Sequence, residues 1–140
     1  MKKKSLIYSP EFDFRLIGIV STISDIKMAW ELKQITELEI VRGEYHEIYL
    51  EKAAESQLFN RFEAIENNDS LSIYFLGNKS PSGYLVEELK NIDFFIIIKG
   101  FEQQEFADDL QKQLKGKPTI QAVFNIDIQT LSSKQKLLMA

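Results

Sequence analysis

The longest uninterrupted apolar run in the chain is Phe94–Ile98. Five residues are enough for a strand but far too few to cross a membrane, which takes about 20, and β-branched and aromatic side chains favour a pleated surface. Alternate side chains of a strand point to opposite faces, so residues 94, 96 and 98 line one face and residues 95 and 97 the other. A strand that is apolar on both faces must be covered on both, which predicts the interior of a sheet.

The composition is that of an ordinary soluble protein: 44% of the 140 residues are hydrophobic and 27% are charged. This length fits a single domain over residues 1–140 that buries a substantial core. The formal net charge of −4 argues against non-specific nucleic-acid binding, which needs Lys and Arg to neutralise phosphates. We therefore expect no nucleic-acid partner.

Cysteine is absent from the sequence and His46 is its only histidine. Disulfides, thiolate catalysis, cysteine-based zinc sites and two-histidine metal motifs are thereby excluded, and we expect neither a metal nor another cofactor. The charged start Lys2–Lys4 is followed only by Leu6–Tyr8 before Ser9 and Pro10, which is shorter than the apolar core of a signal peptide. We expect a cytoplasmic protein that does not bind membranes.

Hydrophobic periodicity predicts an alternation of strands and helices. The expected helices cover about residues 25–36 and 102–115, and the expected strands cover residues 14–20, 37–42, 45–52, 57–66, 70–76, 94–98 and 120–128. The segment 52–66 also fits helical spacing, but a hairpin of residues 57–66 with 70–76 is the simpler arrangement. In the last strand, Ile120, Ala122, Phe124, Ile126 and Ile128 alternate with polar residues, which predicts one wet face.

Three residues of the first half have a structural and a functional interpretation. Gly18 lies inside an apolar strand, where a glycine marks close approach of another element; we expect a helix to pack over it, with a ligand as the alternative. Trp30 falls at the border of the apolar arc of the first helix, and it fits either the edge of the core or an interface. His46 lies among Glu44 and Glu47, and we interpret it as a solvated residue rather than a catalytic base.

The segment Gly77–Gly83 is the most loop-like part of the chain. Its Asn78, Lys79 and Ser80 suggest a phosphate loop, yet the G-x-x-x-x-G-K-[ST] pattern is missing. A plain surface loop is the simpler interpretation, although functional residues concentrate on such loops.

Acidic residues follow this loop at Glu87, Glu88 and Asp93. Paired carboxylates are common on solvated surfaces, and no second cluster completes a catalytic site. Asp93 shares strand parity with Phe95, so we expect it to cap an element or to make a buried hydrogen bond. The tail from Leu131 to Ala140 ends in an apolar cluster, and it either frays or docks on this subunit or a partner.

The stretch Val86–Phe94 resembles the motif of the bacterial IPExxxVDY family, reading V-E-E-L-K-N-I-D-F. Glu88 and Asp93 match that motif, whereas Glu87 stands in place of its proline. Residues 13–19, 76–80 and 131–134 are similar to the family as well. The resemblance implies a small bacterial protein without a known activity, and it favours a strand over a helix for residues 57–66.

These patterns predict an α+β fold in which two main helices pack on a mixed, mostly antiparallel sheet. Strand–helix–strand units over residues 14–42 and 93–127 flank a meander, and parallel pairing within a unit would require a right-handed crossover. For function, we expect a non-catalytic interaction module, homodimeric or adaptor-like, with Trp30 as a candidate interface residue. A small-molecule binder that uses Asn78, Lys79, Ser80, Glu88 and Asp93 is the alternative. An enzyme is the third possibility, and it needs Glu88 and Asp93 within reach of each other with shifted pKa values.

Overall fold

The computed structural model describes residues 12–65 and 71–139, and within these ranges it contains two α-helices and ten strands. In chain order they are β1 (Phe14–Val20), α1 (Asp25–Thr36), β2 (Glu39–Arg42), β3 (His46–Leu50), β4 (Glu55–Phe59), β5 (Arg61–Ile65), β6 (Leu71–Gly77), β7 (Lys79–Ser80), β8 (Gly83–Tyr84), β9 (Phe94–Gly100), α2 (Gln103–Lys115) and β10 (Ala122–Ile126). Short 3-10 turns lie at Glu87–Leu89, Ile128–Thr130 and Lys134–Leu137.

Six of the strands form one sheet in the order β10-β1-β9-β6-β5-β2, and every pair in it is antiparallel. The strand β9 lies between β1 and β6, and Phe94–Ile98 is buried on both faces. The predicted α+β class, with two helices on the sheet, is confirmed, as is the interior position of the apolar run.

The two strand–helix–strand units do not pair their own strands. The order of the sheet makes β9 and β10 run parallel to each other with β1 between them, and β1 and β2 run parallel with three strands between them. Each helix therefore connects strands that never share a hydrogen bond. The sequence predicts the units because it fixes local periodicity, but strand order depends on long-range contacts that periodicity does not encode.

Both helices cover the face that carries Phe94, Ile96 and Ile98, which we call the helix side. The helix α1 begins after Ser24, whose hydroxyl accepts a hydrogen bond from the Lys27 amide at 3.2 Å. Its buried stripe is Met28, Ala29 and Leu32, and that of α2 is Ala107, Leu110 and Leu114. These helices lie where their apolar spacing predicts.

The opposite face carries Phe95 and Ile97, and we call it the loop side. It is covered by the β3–β4 hairpin, by residues 78–92 and by the chain after β10. The covering residues that are buried here include Leu50, Phe59, Leu85, Val86, Ile92, Ile128, Leu131 and Leu137. The tail thus docks on its own subunit, which is one of the alternatives open from the sequence.

The predicted strand over residues 57–66 is two strands that break at Asn60. The first, β4, pairs with β3, and the second, β5, pairs with β6 as the predicted hairpin requires. The preference for strand over helix in this segment is confirmed for residues 55–59 and 61–65. The turn cluster Asn67-Asn68-Asp69 lies outside the described residues.

Two expectations about strand faces are wrong. A Cβ at Gly18 would lie 2.7 Å from Ile126 Cδ1 and 3.2 Å from Ile92 Cδ1, so side chains on the loop side approach this glycine, and no helix does. In β10 the buried residue is Val123, whereas Phe124 is exposed. The strand lies at the edge of the sheet, and Phe124 is exposed there although Ile126 packs against the loop side.

Neither of the helices in the described chain combines the length and the apolar content that a bilayer crossing requires.

Candidate functional site

The side chain of Asn78 is fully buried and holds together the segment that follows it. Its Nδ2 donates hydrogen bonds to the carbonyls of Leu89 and Ile92, both at 2.9 Å, and its Oδ1 accepts one from the Val86 amide at 2.8 Å. A buried amide with these bonds satisfies backbone groups that have no strand partner. Asn78 is therefore a structural bracket, and the prediction of a plain surface loop is wrong at this residue.

Lys79 and Asp93 form an ion pair of 2.8 Å between Nζ and Oδ1. The other carboxylate oxygen of Asp93 accepts a hydrogen bond from the Ser21 amide at 2.9 Å, which agrees with the hydrogen-bonding role expected for this residue. The Asp93 carboxylate raises the pKa of the Lys79 ammonium. The pair ties the start of β9 to the ends of β1 and β6.

A cleft of about 470 Å³ opens at this end of the sheet. Its walls include the loop Ser21–Ser24, the first residue of α1, Asn60, and the Lys79–Asp93 pair. Asn60 donates to the Asp25 carboxylate and accepts from Arg42 Nη2. The side chains of Asp25, Asn60, Lys79 and Asp93 are therefore already hydrogen-bonded, and a ligand would have to compete with these bonds.

The predicted loop around Ser80 is a small hairpin made by β7 and β8. The hydroxyl of Ser80 donates to the carbonyl of Gly83 at 3.0 Å and closes the turn. Ser80 does not line the cleft. Its observed role is to shape the hairpin that carries Lys79.

Glu88 holds the tail. Its carboxylate accepts hydrogen bonds from the Ser132 hydroxyl at 2.9 Å, from the Ser133 hydroxyl at 2.7 Å and from the Ser133 amide at 3.0 Å. Partial desolvation raises the pKa of this carboxyl, but the hydrogen bonds, above all from the Ser133 side chain, outweigh it and lower the pKa to about 2. Glu88 is thus an ionised anchor at neutral pH.

The two carboxylates of the sequence motif, Glu88 and Asp93, lie at different cavities. Asp93 lines the cleft described above, whereas Glu88 borders a smaller cavity of about 210 Å³ between the β3–β4 connection and the tail. An acid–base pair needs both groups at one reacting atom. The structure does not bring Glu88 and Asp93 into one cavity.

His46 is 8% exposed, and the expectation of a solvated histidine is wrong. One ring nitrogen, Nε2, lies 2.6 Å from the carbonyl oxygen of Lys136, so the residue joins β3 to the tail. Burial lowers the pKa of the imidazole, and the nearby Arg61 acts in the same direction. Sequence neighbours suggested carboxylates around this ring; the folded chain surrounds it with apolar groups and a cation.

Trp30 lies on the outer surface of α1 and is 59% exposed, which rules out the core-edge interpretation. Ile26, one turn earlier, is 64% exposed. Ile26 and Trp30 therefore lie on the solvent side of α1, opposite its buried stripe Met28, Ala29 and Leu32. The helix itself contacts β2 at the edge of the sheet.

Arg42 and Tyr45 lie at the end of the sheet where α1 begins. Arg42 lies opposite Phe62 in the β2–β5 pairing, on the helix side, and its Cζ lies 5.4 Å from the Phe62 ring centroid and 5.6 Å from that of Tyr45. Through Asn60 it is joined to Asp25 at the start of α1. We call Ile26, Trp30, Arg42 and Tyr45 the edge surface.

Several residues of these sites gave no signal in the sequence. Ser21, Asn60, Ser132 and Ser133 belong to types that are common in turns, and each gains its role from a partner at least 18 positions away. Among the described residues, no cluster of three or more His, Asp or Glu side chains is arranged to hold a metal ion.

A scan against protein-family models finds no match to the chain, and a search of curated proteins finds no relative. The resemblance to the IPExxxVDY family, which rests on residues 86–94 and their surroundings, stays a prediction.

Proposed function

We propose that the protein is a non-catalytic interaction module that binds another cytoplasmic protein through the edge surface. The observation that carries this proposal is the exposure of Ile26 and Trp30 on consecutive turns of one helix, whose first residue is joined through Asn60 to Arg42. Trp, Tyr and Arg are the residue types that dominate binding energy at protein interfaces. A helix face with two large apolar side chains in water gains free energy when a partner covers it.

The charges around the edge surface indicate the chemistry of the partner. Lys27 and Lys33 lie three positions before and after Trp30 on α1, and both are exposed. Arg42 adds a third cation, and the Glu31 carboxylate next to Trp30 is paired with Lys117. The partner we propose therefore presents an apolar anchor flanked by carboxylates.

A comparison of variants tests this proposal. Wild-type protein, Trp30→Ala and Tyr49→Ala are immobilised and exposed to a bacterial lysate, and proteins retained by the wild type are then purified and titrated. Tyr49 is the control because it is an exposed aromatic residue on the β3–β4 hairpin, away from α1. We expect Trp30→Ala to weaken binding about 30-fold, as for a hot-spot residue worth about 2 kcal/mol.

Salt and charge reversal complete the test. Because cations surround the anchor, we expect affinity to fall with ionic strength and to fall further in Lys27→Glu and Lys33→Glu. Binding that is equal in all variants, or that is lost equally in Tyr49→Ala, would overturn the proposal.

A second candidate function is the binding of a small polar molecule in the cleft beside Lys79 and Asp93. Its support is the size of the cleft, about 470 Å³, which lies in the range of ligand sites. Titration with a fragment library monitored by NMR tests it. Chemical-shift changes at Ser21, Lys79 and Asp93 that vanish in Lys79→Met are expected for binding, and their absence would exclude the site.

A further inference from the structure

The two edges of the described sheet differ in how they are protected. The edge strand β2 has four residues and begins and ends with the charged residues Glu39 and Arg42. Next to it, the Glu63 carboxylate lies so close to Gly43 that a Cβ there would approach Oε2 to 2.6 Å. Charges and short length are the usual means of preventing a sheet edge from pairing with another chain.

The other edge strand, β10, lacks these charges. Its residues, A-V-F-N-I, include neither a charge nor a proline, and the central Phe124 is 45% exposed. An edge strand presents alternate backbone N–H and C=O groups without strand partners. An uncharged edge with an exposed aromatic residue at its centre is suited to strand addition.

Backbone geometry identifies which groups of β10 point outward. The Val20 carbonyl accepts from the Gln121 amide, whereas the Ile19 carbonyl accepts from the Asp93 amide on the other side of β1. Even-numbered residues of β1 therefore direct their backbone groups to β10, and Gly18 is the partner of Phe124. By alternation, the N–H and C=O groups of Val123 and Asn125 face outward.

We propose that β10 pairs with β10 of a second copy of the chain, in antiparallel orientation, to form a continuous twelve-stranded sheet. In the register that we propose, Phe124 lies opposite its own copy and Val123 lies opposite Asn125 of the second copy. The outward groups of Val123 and Asn125 then make four intermolecular backbone hydrogen bonds. A two-fold axis places the same residues on both sides of the contact, and because the strand is uncharged no like charges face each other.

This inference is independent of the proposed function, since the edge surface lies at the β2 end of the sheet and remains free in such a dimer. A dimer would present two edge surfaces and would bind a divalent partner with increased avidity. Loss of partner binding in Trp30→Ala and loss of dimerisation in a β10 variant are thus separate outcomes.

Cross-linking tests the register directly, because the natural chain has no cysteine. In the proposed pairing the two copies of residue 124 form a non-hydrogen-bonded pair with Cα atoms about 4.5 Å apart, within the range for a disulfide. We expect Phe124→Cys to give a covalent dimer on mild oxidation in non-reducing gel electrophoresis. Leu58→Cys, at an exposed position of the β3–β4 hairpin, is the control and should stay monomeric under the same conditions.

Light scattering coupled to size-exclusion chromatography measures the mass without a cross-link. We expect wild type and Leu58→Glu to have twice the mass of the chain at micromolar concentration, and Phe124→Glu to have the mass of one chain. Asn125→Pro removes one outward N–H and keeps the backbone hydrogen bonds to β1, although it loses the Arg15–Asn125 side-chain bond. It should also yield monomer; circular dichroism checks that each variant is folded.

A monomeric wild type would overturn the proposal. A dimer whose mass is unchanged in both Phe124→Glu and Asn125→Pro would overturn it as well. A covalent dimer formed equally by Leu58→Cys would remove the support for the register.

Discussion

On the helix side of the sheet, Ile96 and Ile98 pack against the apolar stripes of two regular helices. On the loop side, Phe95 and Ile97 pack beneath a hairpin, an irregular segment and a tail. A helix satisfies its own backbone hydrogen bonds, so apolar side chains are sufficient to attach it. An irregular segment leaves backbone groups without partners in a strand or helix. On the loop side, the side chains of Asn78, Glu88 and His46 bond to such groups.

The two layers are therefore sensitive to different kinds of substitution. The helix side depends on many exchangeable apolar contacts, and volume-conserving substitutions there cost little. The loop side depends on a few polar side chains whose removal leaves buried groups unsatisfied. On the loop side, substituting a polar residue that bonds to buried backbone groups should therefore cost much more stability than substituting an exposed residue of the same type.

The largest effect is expected for Asn78→Ala. It leaves the carbonyl of Ile92 and the amide of Val86 without partners, at about 1–3 kcal/mol for each unsatisfied group. It also removes one of the two hydrogen bonds to the Leu89 carbonyl, which still accepts from the Ile92 amide. We expect the free energy of unfolding in urea to fall by about 3–5 kcal/mol, whereas Asn91→Ala, at an exposed asparagine, should change it by less than about 0.5 kcal/mol. A loss below about 1 kcal/mol in Asn78→Ala would show that the bracket is dispensable.

A smaller effect is expected where the loop side approaches β1. Gly18→Ala introduces a Cβ only 2.7 Å from Ile126 Cδ1, and we expect a loss of about 1–2 kcal/mol from overpacking. Gly77→Ala is the matched control, since nothing lies within 4 Å of its added Cβ. The double variant Gly18→Ala with Ile126→Val should recover part of the loss; an unchanged loss would locate the strain elsewhere.

A pH dependence is expected from His46. Burial lowers the pKa of its imidazole in the folded chain, so as pH falls below the unfolded value of 6.5 the unfolded chain takes up a proton that the folded chain does not. The free energy of unfolding should therefore decrease between pH 8 and pH 5.5. The decrease should be smaller in His46→Gln, and an equal decrease in both proteins would assign it to other groups.

The smallest effect is expected for Glu88→Gln. Its lowered pKa means that the carboxylate stabilises the fold above pH 4.5 and that this contribution is lost as pH falls from 4.5 to about 2. Because the carboxyl is largely in water, we expect less than about 1 kcal/mol at neutral pH. Hydrogen exchange should accelerate in residues 131–139 of Glu88→Gln but not of Glu87→Gln; equal exchange in both would mean that Glu88 does not hold the tail.

The sequence determined much of the regular structure. The interior strand at Phe94–Ile98, the helix that starts after Ser24 and the helix that ends at Lys115 all follow from side-chain period and local end signals. These features depend on residues within about four positions of each other. Local periodicity is therefore enough to locate them.

The candidate site was predictable only in part. Lys79 and Asp93 do meet, but Asn78 and Glu88 have structural roles, and the partners Ser21, Asn60 and Ser133 gave no signal. A serine or asparagine has the same local character whether it faces water or a carboxylate across the fold. Only tertiary contact separates the two cases.

The sequence by itself determined the fold class, the two helices and the strand at the centre of the sheet. The tertiary structure decided the strand order, the burial of His46, the exposure of Phe124 and the docking of the tail. The physical reason is range: hydrophobic period is a property of neighbouring residues, whereas burial and hydrogen bonding depend on which distant segments the fold brings into contact.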